Sequence, residues 1–61
     1  MTVQEAREMF GLRDNDLISR EGIQGLILMR EKHLRTTISQ HEKEVTQKEI
    51  EALKILLEEA S

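Results

Sequence analysis

Two histidines, His33 and His41, are the side chains of this sequence best suited to hold a metal or move a proton near neutral pH. On one continuous helix, a separation of eight residues puts them about 80° out of phase and roughly 12 Å apart along the axis. One ion cannot take both from that geometry, and zinc-binding helices space their histidines at i and i+4. Both therefore read as amphipathic side chains at the edge of a bundle. Gly22 and Gly25 have neither a strand before them nor a Lys-Ser/Thr pair after them, so they do not make a phosphate loop. Cysteine is absent, which removes thiolate nucleophiles, thiolate metal sites and disulfides. Glu58 and Glu59 fall at a helix C-terminus, where the dipole disfavours them, and read as a solvated end or an acidic docking tip. Sixty-one residues offer little material for a dry active site. No catalytic, cofactor-binding or metal-binding residue is assigned, and an enzyme is not expected.

The chain is instead rich in helix formers. Charged residues make up 34% of it, with a net charge of -3. Leu, Ile, Glu, Lys, Arg and Gln dominate, as in helical bundles and short coiled coils. A nucleic-acid binder normally carries a basic excess or a basic stripe. Arg30, Lys32 and Arg35 form a basic cluster, but Glu31 interrupts it and the side chains project to different sides. Two Glu and one Arg in the first ten residues argue against a secretory signal. No run approaches the roughly 18 apolar residues that cross a bilayer. The opening Met1 suggests a whole small protein, and the absence of Cys fits a reducing cytoplasm.

Three helices follow from pattern and end signals. Thr2 and Glu5 have capping-box spacing. Val3, Ala6, Met9 and Phe10 recur at helical intervals, and Gly11 suits the left-handed position past a helix end. The first helix is read over 2–10, with Leu12 folding back onto its last turn. Arg13 to Asp16 read as a turn. The second helix is read over 17–40, capped by Asp14, Asp16 or Ser19. Its inner stripe is Ile23, Ile27, Arg30, Leu34, Ile38 or Thr37, and His41. A short strand over 23–29 is the weaker alternative, since no second strand of similar quality exists to pair with it.

The third helix is read over 46–60. Thr46 and Glu49 match the capping box, with Val45 and Ile50 at the positions of a hydrophobic staple. Ser39 and Glu42 match the same box without the apolar periodicity that should follow. Residues 41–45 are thus expected to form the turn of a hairpin. One unbroken helix over 17–60 is a further alternative. Ile50, Leu53, Leu57 and Ala60, with Leu56 beside them, form the expected inner face.

Leu26, Ile27, Leu28 and Met29 are consecutive. At about 100° per residue they cover about 300° of a helix, far more than one partner helix can hide. Ile27 and Leu34 are assigned to the seam with the third helix. Leu26, Met29 and His33 are assigned to a second face, and Leu28 to a third side, against the first helix. A small chain without disulfides commonly gains its missing burial by oligomerising. The fold class expected is therefore all-α: a short N-terminal helix plus a two-helix antiparallel hairpin, assembling as a homodimeric helical bundle. Leu26, Ile27, Met29, Leu34, Leu53, Leu56 and Leu57 are the expected dimer interface.

Residues 2–22 loosely resemble the helix-turn-helix of excisionase-like and MerR-like DNA-binding proteins. That resemblance implies DNA binding through the segment after the turn. The segment itself carries Asp14, Asp16 and Glu21 against Arg13 and Arg20, a balance that phosphates repel. The leading expectation is a small cytoplasmic regulator that docks on a larger protein, such as a transcription factor or an enzyme. Small bacterial and phage modulators of transcription are of this size and class. Met9, Phe10 and Leu12 are the expected partner contacts, because a lone aromatic beside flexible Met and Leu makes an anchor. An assembly adaptor acting through helical oligomerisation is the third reading.

Overall fold

The computed structural model describes residues 1–12 and 19–60. Among these residues all regular structure is helical: α1 spans Val3–Met9, α2 spans Arg20–Thr36 and α3 spans Gln40–Glu59. The expected turn at 13–16 and the proposed caps Asp14 and Asp16 lie outside the described residues.

Local signals account for α1 at both ends. The Thr2 hydroxyl accepts from the Glu5 amide at 3.2 Å. The Thr2 amide in turn donates to Glu5 Oε1 at 3.1 Å, completing the capping box. At the other end Gly11 has φ 68, open to glycine at no steric cost. Its amide donates to the Glu8 carbonyl at 3.1 Å, and the Leu12 amide to the Arg7 carbonyl at 2.8 Å. Those two bonds form a Schellman motif, which turns Leu12 back onto the core.

Ser19 is the N-cap of α2, its hydroxyl accepting from the Gly22 amide at 3.4 Å. The helix stops at Thr36 rather than at residue 40, and Thr37, Ile38 and Ser39 form the connection. Ile38, expected on the inner stripe, is 95% exposed there.

Helix α3 begins at Gln40 with Ser39 as its cap, the Ser39 hydroxyl accepting from the Glu42 amide at 3.4 Å. This corrects the expected start at residue 46. Thr46 is buried inside α3, and residues 41–45 are helical. The weaker sequence signal prevails, and Thr46 is 3% exposed within the helix instead of standing at its cap. The Thr37 hydroxyl adds a bond of 2.7 Å to Glu42 Oε2, tying the connection to the first turn of α3.

The core consists of Ala6, Ile23, Ile27, Ile50, Ala52, Leu53 and Leu56. Helix α3 is the central element, packing against α2 on one side and α1 on another. Ala6 and Ala52 are both 0% exposed, so α1 and α3 approach through small side chains. The molecule measures 36 × 20 × 15 Å, its long axis close to the roughly 30 Å of a twenty-residue helix.

Candidate functional site

Helices α1 and α2 both stand on α3 without packing on each other, which leaves a furrow between them. Its first hollow is walled by Phe10 and Leu12 on one side and by Ser19, Gly22 and Leu26 on the other. Ile23, Leu53 and Leu56 form its floor. Phe10 also lines the second hollow, with Met9, Arg30, Val45, Lys48 and Glu49. Arg30, Val45 and Glu49 continue into the third, where Met29, His33, His41, Glu42 and Thr46 complete the lining. Phe10 and the Arg30–Glu49 pair therefore join three hollows into one surface.

The three residues expected to anchor a partner all lie on this surface. Met9 is exposed, and Phe10 and Leu12 are half-buried against the core. The residues expected at a dimer interface divide. Ile27, Leu53 and Leu56 are covered by the chain itself. Leu34 and Leu57 are half-buried and line hollows elsewhere, away from the furrow. Leu26 and Met29 stay exposed and line the furrow. Leu28 was expected against α1. It stands 67% exposed beside Gln24, Lys54 and Leu57, because α1 lies on α3 instead.

The break at Thr37–Ser39 changes the histidine geometry. His33 lies in the last turn of α2 and His41 in the first turn of α3, so both line the third hollow rather than diverging along one helix. His33 Nε2 lies 3.7 Å from Glu42 Oε2. Among the described residues, no group of three His, Asp or Glu side chains is placed to hold a metal ion. No described helix is long and apolar enough to cross a membrane.

No family model, curated protein or solved structure matches this chain. The chemistry of the surface therefore has to speak for itself. A close ion pair interrupts the apolar lining, with Arg30 Nε at 2.8 Å from Glu49 Oε2. That N–H is buried and not aimed at the carboxylate, so the contact is one of charge rather than a hydrogen bond. Arg20 is engaged elsewhere, its Nη1 donating to the Leu57 carbonyl at 3.2 Å across the far end of α2 and α3. What the furrow offers is apolar depth, a flexible Met at each of two walls and an aromatic ridge between hollows, features suited to a protein side chain. Ala52, fully buried, was missed by sequence reasoning because Ala carries little hydrophobic signal on its own.

Proposed function

We propose that this chain is a small non-enzymatic regulator that docks on a larger cytoplasmic protein and changes its activity. In this reading α2 and α3 act as an antiparallel hairpin with α1 folded onto it, and two copies associate as a homodimeric bundle. The observation that carries the proposal is the furrow itself. Phe10, the only aromatic residue of the chain, sits at the junction of two of its hollows. An amphipathic helix laid along such a groove gains affinity from a few apolar anchors spaced three or four residues apart. The rim supplies orientation through Arg30, Lys48 and Glu49.

The test is affinity capture from the source cell by the folded chain, with Phe10→Ala in parallel. Loss of one specific larger protein on substitution, with helical content retained, supports the reading. A folded Phe10→Ala chain that keeps every partner removes Phe10 as the anchor. A captured partner whose activity is unchanged by the chain removes the regulatory role.

A further inference from the structure

Helix α2 carries two seams, and α3 takes only one of them. Ile23, Ile27, Arg30 and Leu34 face α3. Next to them Gly22, Leu26, Met29, His33 and Thr36 recur at intervals of four, three, four and three, the spacing of a coiled-coil seam. No position of that second seam is Lys, Arg, Asp or Glu, although a third of the chain is. Leu26 is exposed and Met29 is 64% exposed. A solvated helix face in so charged a protein ordinarily carries its share of Lys and Glu, as the remaining faces of α2 do with Glu21, Lys32 and Arg35.

We propose that a second copy of this chain covers this seam, its α2 running antiparallel to the first. The inference rests on the dimer reading given above, specifies its face and direction, and sets the second copy against the α2 wall of the furrow, so that a larger partner's helix competes with the dimer there. Area is the first argument. The chain exposes 4599 Å², whereas a compact monomer of its 7.1 kDa exposes roughly 4,100 Å². Covering an excess of about 500 Å² on each copy buries about 1,000 Å² in total, the lower bound of a specific interface.

Side-chain size fixes the direction. In an antiparallel pair with its two-fold axis between Leu26 and Met29, each Leu26 meets the other chain's Met29. Each His33 then meets the other chain's Gly22, so a bulky ring faces the smallest residue of the seam. A parallel pair sets Gly22 against Gly22 and His33 against His33, leaving a void and a crowded site.

Sedimentation equilibrium of the purified chain up to hundreds of micromolar provides the test. The expected result is a dimer whose dissociation constant rises at least about tenfold in Met29→Glu, because two carboxylates enter an apolar interface. Leu28→Glu, on the other side of α2, leaves it unchanged. If Met29→Glu loses helical content, Met29→Gln replaces it, with a smaller rise expected. Single-cysteine variants Leu26→Cys and Met29→Cys read the direction, since the chain has no other thiol. On oxidation, their mixture is expected to give the mixed disulfide in preference to either homodimer. A chain that stays monomeric overturns the seam and the dimer reading together. A dimer dissolved by Leu28→Glu but not by Met29→Glu overturns the seam and leaves the dimer. Preferential homodimer disulfides overturn the antiparallel direction.

Discussion

Arg30 Nε on α2 lies 2.8 Å from Glu49 Oε2 on α3, and the pair stands where two hollows of the furrow meet. Both side chains remain partly open to solvent, which limits what their attraction contributes to stability. A double-mutant cycle of Arg30→Met and Glu49→Gln, read from thermal melts, is expected to give a coupling of about 0.5–1 kcal/mol that shrinks in salt. A coupling of several kcal/mol would show that the pair is sealed from water.

Leu53 and Leu56 are the largest fully enclosed side chains, and Leu53 touches both the seam with α2 and the floor of the furrow. Leu53→Ala removes buried area and leaves a cavity, at a cost of about 2–5 kcal/mol. A domain this small has about 5 kcal/mol to lose. The substituted chain is expected to show little cooperative melting by circular dichroism at room temperature.

The start of α3 gives a second stability test. Ser39→Ala is expected to destabilise by about 1 kcal/mol, the worth of an N-cap hydroxyl. Thr46→Ser keeps a hydroxyl but removes a buried methyl, and should cost through packing rather than capping. Hydrogen exchange separates the two. Ser39→Ala frees the Glu42 amide, whereas Thr46→Ser loosens the middle of the helix.

These residues also show where sequence reasoning succeeds and where it stops. The ends of α1 are legible because Thr2, Glu5 and Gly11 act through bonds of three to five residues, all inside the local sequence. The α2–α3 connection is not legible. Two matching boxes compete there, and the decision is tertiary: Thr46 is buried within α3 instead of standing at its exposed start. The same break moves Ile38 into solvent and brings His33 and His41 to one hollow, so one boundary error carries two further consequences. Leu28 fails for a related reason. Periodicity shows that it leaves the seam but cannot say on which side α1 docks, and the choice depends on the small Ala6 and Ala52.

Glu5 supplies the pH-dependent element. The Thr2 amide, and then the Thr2 hydroxyl, hold its carboxyl below the usual value of 4.5. A carboxyl lowered on folding stabilises the native state above its unfolded value, and that contribution is lost as pH falls through the folded value. The capping box of α1 should therefore weaken only in acid, below about pH 4.5. An NMR titration is expected to place Glu5 below 4.5, and Thr2→Ala to return it toward that value. If Glu5 titrates at 4.5 in the intact chain, the box does not persist in solution.

One substitution made at two glycines should act in opposite directions. Gly11 has φ 68, a conformation that costs an L-residue about 1–2 kcal/mol. A Cβ there meets no neighbour within 4 Å, so the cost of Gly11→Ala is backbone strain alone. It should loosen the Schellman turn that sets Leu12 and Phe10 on the furrow wall. Gly25 lies within α2 at ordinary helical φ, and a Cβ there also meets nothing within 4 Å. Gly25→Ala therefore adds helix propensity without a clash and should stabilise the isolated chain by about 1 kcal/mol. Denaturant melts at a concentration low enough to keep the chain monomeric should resolve both signs. Destabilisation by Gly25→Ala under those conditions would mean that α2 is not continuous through residue 25.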